Sequence, residues 1–301
     1  MSLQFIADGL LIGAMVGLGA IGVTLTYSIL GFANFVHGEF IAWGAYACLV
    51  IAGLIGLGAD IAPLGPFSIG WTILVAAVIA MAFTGGLALA LDWLLFARLR
   101  KHGNAIVLVM ASFGASMALR SLLEFLFTSE PAYFSRDIQI AIPLGLGIRV
   151  TPDQMLMLGL TAVLVTAMHL LITRTAIGRA MRAVSENPAL ARVAGIDVAG
   201  VIRRTWLIGG ALACAAGIVA GITVQIRPFM GFDLLLPMFA AAILGGIGSV
   251  PGAVVGGLIV GLAESCAVQF VGAEYRAAVA FLLLIAVLLV KPAGLFGRGD
   301  A

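Results

Sequence analysis

This 301-residue chain predicts an all-α fold, a polytopic transmembrane helical bundle, on three observations. The composition is 62% hydrophobic and 10% charged, with a mean hydropathy of +1.19, where a soluble domain carries about 25% charged residues. The apolar residues fall in long runs, each near the roughly 20 residues that cross the hydrocarbon. Lys and Arg concentrate on one alternating set of connections between those runs.

Nine runs are candidate spans: 4–30, 40–57, 71–97, 105–128, 153–173, 201–226, 233–247, 253–271 and 276–291. The seventh is short, so the expectation is a single transmembrane domain over 1–301 with about eight or nine spans. The first run has no basic segment before it and is too long for a cleaved signal, so it reads as a span. The formal net charge of +2 is too small to suggest nucleic acid. Cys48, Cys214 and Cys266 lie inside apolar runs with no C-x-x-C spacing, which argues against a disulfide framework or a zinc site. No cofactor is expected.

Sidedness follows from the basic residues. One set of connections carries eleven: Arg98, Arg100, Lys101, Arg174, Arg179, Arg182, Arg192, Arg203, Arg204, Lys291 and Arg298. The other set carries four: Arg136, Arg149, Arg227 and Arg276. The positive-inside rule makes the first set, the 174–204 loop and the C-terminus cytoplasmic. Residues 227–232 and 272–276 then share the outer side, so 233–271 must be an in-membrane hairpin with its bend near GGIGSVPG (245–252).

GFANFVHGEF (31–40) breaks the apolar pattern early, as GGIGSVPG breaks it late. Two Gly-broken in-membrane hairpins are therefore expected. Irregular backbone at membrane depth is tolerated only inside protein or beside a water-filled cavity, so paired breaks point to a transport path. Candidate path residues are Asn34, His37, Gly38 and Glu39 in the first break and Gly245, Gly246, Gly248, Ser249 and Gly252 in the second. The competing reading puts the first group in a headgroup-level turn and gives the glycines to helix packing. His37 and Glu39 alone make a poor metal-ligand set.

Other small residues read as packing devices. Gly9, Gly13 and Gly17 form a stripe every fourth residue, and Gly252/Gly256 and Gly257/Gly261 do the same later. Gly17, Gly19 and Gly22 satisfy G-x-G-x-x-G but follow no strand, so they are no dinucleotide site.

Ionisable residues within spans are costly unless paired. Arg120 and Glu124 stand four apart on one helix face and read as a local pair, structural or in an outer vestibule. Asp92 and His169 fall near inner ends and are expected to reach the interface. Glu264 is the isolated intramembrane carboxylate and a further candidate path residue, the alternative being a hydrogen-bonded structural role.

The 174–204 loop holds a helix signature. Asn187 suits the N-cap, Pro188 the first helical position and Gly195 the position past the end. The resulting two-turn helix carries Leu190, Val193 and Ala194 on one side. A second short helix, IGRAMRAV, presents Arg179 and Arg182 together. The capped helix fits a groove on another protein; the alternative is a basic helix lying on the membrane surface.

GFANFVHGEF with GAYA (44–47), GRAMRAVSENPALARVAGID (178–197), AAILGGIGSVPGAVVGGLIVGLAES (241–265) and KPAGLFGR (291–298) occur in this order. Over nearly its whole length the chain resembles the LivH-type permease subunits of ATP-binding-cassette importers for branched-chain amino acids. The usual first motif is closer to N-F-A-H-G-E; Val36 here replaces Ala. The resemblance implies an inner-membrane location and a second homologous permease subunit. It also implies two ATPase subunits and a periplasmic substrate-binding protein. It assigns residues 185–197 to ATPase contact, hence Glu186, Asn187, Pro188, Leu190, Val193 and Gly195 to coupling. Relatives with these motifs are also associated with urea, short amides and other amino acids. The chain has no G-x-x-x-x-G-K-[ST], so it is not itself an ATPase. An ion-coupled secondary transporter is the rival class, with Glu264 as its only good coupling carboxylate.

Overall fold

A computed structural model describes residues 3–57, 64–100, 104–135, 139–145, 147–291 and 293–297. Lys101, Arg136 and Arg298 of the charge count, and Pro292 and Arg298 of the last motif, lie outside the described residues. Helices run in the order α1 (Gln4–Leu30), α2 (Val36–Gly56), α3 (Trp71–Leu91), a π-helical turn Asp92–Phe96, α4 (Ala97–Leu99) and α5 (Ala105–Phe127). A small hairpin, β1 (Ile142–Gly145) with β2 (Ile148–Val150), precedes α6 (Pro152–Arg174). Next come α7 (Ala176–Glu186), α8 (Pro188–Val193), α9 (Val198–Thr223), α10 (Met230–Gly245), α11 (Val250–Phe270) and α12 (Arg276–Val290). Among the described residues eight helices are long and apolar enough to cross a membrane, with Met230–Gly245 as a shorter ninth. Sixteen residues rise only about 24 Å, short of the roughly 30 Å hydrocarbon core. The all-α, eight-or-nine-span expectation therefore holds, with the β1–β2 hairpin as an addition the apolar pattern did not show.

The centre of the bundle is α1, α2, α9, α10 and α11. α1 packs along α11, and α9 packs on α1, α2 and α3. The α1–α11 seam is made of the two small-residue stripes. A Cβ on Gly13 would sit 2.7 Å from the Leu258 Cα, and one on Gly9 2.9 Å from the Leu262 Cα. Gly257 and Gly261 lie in turn against the Gly17 and Gly13 backbone. Backbones this close gain dispersion contacts that lipid cannot match. Gly19 and Gly22 do a different job. A Cβ on Gly19 would collide with the Met238 thioether, and one on Gly22 would come within 2.9 Å of the His37 Nε2. The G-x-G-x-x-G spelling thus makes two sockets on α1.

α7 and α8 gather at one end of the bundle with Arg98, Arg100, Arg174, Arg179 and Arg182, here called the basic end. At this end Asn187 caps α8, its side chain accepting from the Leu190 N–H at 2.9 Å. α8 stops in a Schellman motif: Ile196 N–H donates to Ala191 O at 3.0 Å, and Gly195 adopts φ +83°. Ala191 is buried against the bundle, while Leu190 and Val193 are 66% and 86% exposed. The Arg179 and Arg182 guanidiniums turn back to the Arg174 and Ile172 carbonyls at the end of α6. They close a helix terminus instead of standing out from the loop.

The second break is a true bend. Ser249 caps α11 by accepting from the Gly252 N–H at 3.1 Å, and Gly246 and Gly248 have φ +96° and +89°. Residues 293–297 fold back over it. Leu295 N–H donates to Leu244 O at 2.8 Å and Phe296 N–H to Gly245 O at 3.1 Å. Two orphan carbonyls at the end of α10 are satisfied in this way.

Candidate functional site

Helix α2 begins at Val36, four residues before the apolar run that predicted it, so His37, Gly38 and Glu39 belong to its first turn. Asn34 starts that turn: its Oδ1 accepts from the Val36 N–H at 3.2 Å and its carbonyl from the His37 N–H at 3.3 Å. Asn34, His37 and Glu39 are 3%, 1% and 0% exposed. These groups are enclosed by protein and do not stand in an open turn. They sit part-way along two neighbouring helices. Phe35 N–H donates to the Ser112 Oγ at 3.3 Å, and Ser112 lies about 10 Å along α5 from its start. His37 meets α1 at Gly22, about 12 Å from that helix's end. Helix α2 thus starts part-way down the bundle, level with the interior of α1 and α5.

Helix α10 starts at the same level. A Cβ on Gly38 would stand 2.8 Å from the Gly231 carbonyl oxygen, and Gly231 abuts Gly38 in return. The first turns of α2 and α10 are therefore in backbone contact. The other break lies shallower: Gly248 N–H donates to the Thr24 Oγ1 at 2.7 Å, about 9 Å from the end of α1. The two broken segments lie at different depths on α1, and no described hydrogen bond or ion pair joins them.

Around Glu39 the structure corrects the expected ion pair. Arg120 is bonded to Glu39, 81 positions away, and not to Glu124 on its own helix. Arg120 Nη2 and Nε donate to the Glu39 Oε1 at 2.6 and 3.2 Å, and the Ser116 Oγ donates to the same oxygen at 2.8 Å. The guanidinium carbon lies 4.9 Å from the Phe229 ring centroid and 4.3 Å from that of Phe232. One turn along α2, the Trp43 indole N–H donates to the Leu119 carbonyl at 3.2 Å. Phe35 contacts both Phe113 on α5 and Phe239 on α10, with centroids 5.8 and 5.9 Å apart. α5 and α10 thus both pack on α2.

Two further carboxylates are corrected. Glu264 is not isolated: the Arg276 Nε donates to its Oε2 at 2.8 Å, while the carboxylate itself is 1% exposed. Arg276 opens α12, so a group assigned to the outer connection neutralises a buried one. Asp92 is not a free group at a helix end. It is 4% exposed, sits in the π-helical turn and pairs with Arg100 at 2.6 Å. Phe96 of that turn stacks on Trp206 at 5.1 Å and contacts Phe32 of the first break at 5.5 Å. Sequence reasoning missed the whole α5 contribution to the first break and also missed Asp153. The latter accepts from Ser68 and Gln139 and so fastens two connections at the end opposite the basic one. The sequence signal for Arg120 was its charge within a span; no local spacing names its partner. Among the described residues no group of His, Cys, Asp and Glu forms a metal site.

Comparisons with known proteins agree with this architecture. Permease LivH of the high-affinity branched-chain amino acid transport system of Escherichia coli K12 is 33% identical over 305 residues, covering 99% of this chain and 96% of the relative. The BraD permease of Pseudomonas aeruginosa is 32% identical, with the same 99% and 96% coverage. A probable LivH of Methanocaldococcus jannaschii is 28% identical over 92% of this chain and 87% of its own. The solved structure of PsaBC from Streptococcus pneumoniae in complex with Fab superposes with a TM-score of 0.51 at 13% identity, over 97% of this chain and 93% of that one, which shows a shared fold. Residues 5–288 match the family described as branched-chain amino acid transport system / permease component, and the chain belongs to that family.

Proposed function

We infer that this chain is the permease subunit of an ATP-driven importer for branched-chain amino acids, one transmembrane domain in the inner membrane. The basic end and the C-terminus face the cytoplasm, as the excess of Lys and Arg there argues. A second homologous permease subunit completes the path, a periplasmic binding protein delivers the substrate, and two ATPase subunits dock at α8. The observation that carries this reading is α8 itself. A helix of six residues, marginal alone in water, is capped at both ends and turns Leu190 and Val193 away from its own chain. Glu186, Asn187, Pro188 and Gly195 supply its approach and caps. Closing of the ATPase pair on ATP would carry α8, α7 and the helices packed on them as a body, giving alternating access.

Path residues follow from the same reading. Asn34, His37, Gly38 and Glu39 brace the mid-membrane break; Gly245, Gly246, Gly248, Ser249 and Gly252 form the bend nearer the cytoplasm. Glu264, already matched by Arg276, is a structural ion pair here, which disfavours an ion-coupled secondary transporter. Reconstitution tests the reading. The complete complex should import leucine with ATP and the binding protein, and the chain alone should import nothing. Uptake by the lone chain under a proton or sodium gradient refutes it.

A further inference from the structure

Asp233 stands in the first turn of α10, two positions past Gly231, whose backbone abuts Gly38 at the start of α2. It is therefore level with the interior of α1 and α5. It is exposed, and among the described residues no side chain donates to its carboxylate or pairs with it. An ionisable group at that level of a spanning bundle is costly against lipid. Water reaches such a level only where protein walls off the far side. In either case the surface around Asp233 is not a lipid face.

That surface continues onto α5. Phe229 and Phe232, at the same turn as Asp233, are exposed and lie against Arg120 of α5. Met117, Ser121 and Phe125 follow at four-residue spacing along the outward side of α5. The Ser121 hydroxyl makes no hydrogen bond among the described residues, whereas the outward Thr166 hydroxyl of α6 donates back to the Ala162 carbonyl. Gly114 and Ala118, one turn apart on this side, leave room for another helix: a Cβ on Gly114 would meet nothing within 4 Å. The outward faces of α3 and α12 differ. Leu74, Val78 and Phe83 on the one and Phe281, Leu282 and Ile285 on the other are exposed, with no polar group among them.

We propose that the face made by α5 and the first turn of α10 seats the second permease subunit, a protein of this same fold, which brings polar groups to Asp233 and Ser121. The outward faces of α3 and α12 are then the lipid faces. Charge and level choose the occupant. A lipid tail offers Asp233 no donor. The ATPase subunits and the binding protein meet the two ends of the bundle, so the neighbour alongside it at mid-length is the other permease. The proposal names the partner surface of the importer reading and rests on that reading.

Photo-cross-linking tests it on the complete complex in proteoliposomes. Met117 or Phe125 is replaced by p-benzoylphenylalanine, with Phe83 and Leu282 as control positions, all four being exposed in the chain. Irradiation at Met117 and Phe125 should give a product at the summed mass of two permease subunits, and at Phe83 and Leu282 only lipid adducts. Native mass spectrometry of the detergent-purified complex reports pairing independently. D233L removes the acceptor and should lower the pairing equilibrium roughly five- to hundredfold, while D233N, which keeps an acceptor oxygen, should retain most of it. Lipid adducts alone from Met117 and Phe125, a permease pair from Phe83 or Leu282, or wild-type pairing in D233L overturns the proposal. ATP-driven leucine uptake by the wild-type complex separates the two readings. The expected cross-links without any uptake refute the importer and leave the interface standing. Uptake with cross-links through α3 or α12 refutes the interface alone.

Discussion

Replacing Leu190 and Val193 together should uncouple the ATPase from transport. Full burial of a Leu or Val side chain contributes about 1.5–3 kcal/mol. Both are largely exposed in the chain, at 66% and 86%, so docking in a groove could bury most of each. Scaling by those exposures gives about 2–4.5 kcal/mol for the pair, or roughly thirty- to two-thousandfold in the docking equilibrium. Leu190→Ala with Val193→Ala removes most of that, the Cβ methyls remaining. Leu190→Asp with Val193→Asp removes more, because unpaired carboxylates lose water on docking. Asn187→Ala acts on the same contact indirectly, costing about 0.5–2 kcal/mol of helix order. The assay is ATP turnover of the purified complex with and without loaded binding protein. Permease pairing should be unchanged, because no contact within the membrane is altered. Arg179→Gln and Arg182→Gln serve as controls: they touch only the end of α6 and should weaken coupling less. Wild-type stimulation in the double Asp variant would show that coupling runs elsewhere at the basic end.

Other outcomes are equally specific. Arg276→Gln leaves the buried Glu264 without its partner and should cost about 1–3 kcal/mol, Arg276 being itself 43% exposed, with Glu264→Gln added on top recovering most of it; a double variant as unstable as the single one in thermal unfolding would contradict this. Gly38→Leu forces α2 off α10 at a 2.8 Å approach, so uptake should be lost along with about 1–3 kcal/mol of stability; normal uptake would separate that contact from the path. Thr151→Ala removes one arm of a capping box with Gln154 and should lower stability by about 1 kcal/mol without touching uptake per complex. A fall in uptake per assembled complex would tie α6 to the transport step.

Most of the bundle was legible because hydrophobic runs report length, and length is what a bilayer selects. The α8 caps were legible for a related reason: Asn187, Pro188 and Gly195 act on backbone groups within a few residues. The partners of the charged groups were not. Arg120 has Glu124 one turn away, yet it reaches Glu39, because α2 starts part-way down the bundle and presents its carboxylate level with that turn of α5. Local helix geometry offers Glu124 and says nothing about what the opposing helix brings. The start of α2 was read late for a similar reason. His37 and Glu39 look like interface residues until their burial against Gly22 and Ser116 is known. The π-helical turn at Asp92–Phe96 gave no signal, since in DWLLF only Asp92 departs from the apolar pattern and a lone charge does not distinguish a π turn from an α turn.

The strap formed by residues 293–297 has a bearing on biosynthesis. Ribosomes make a chain from its first residue, so α10 is synthesised some fifty positions before Leu295 and Phe296, whose amides cover its last carbonyls. Until those residues emerge, the end of α10 must find water or other donors, because a bare carbonyl in hydrocarbon costs several kcal/mol. The bend therefore cannot settle in its final setting during translation. A nascent chain halted before residue 293 should be held by the insertion machinery as an open hairpin, more accessible to proteases at 245–252 than the finished protein.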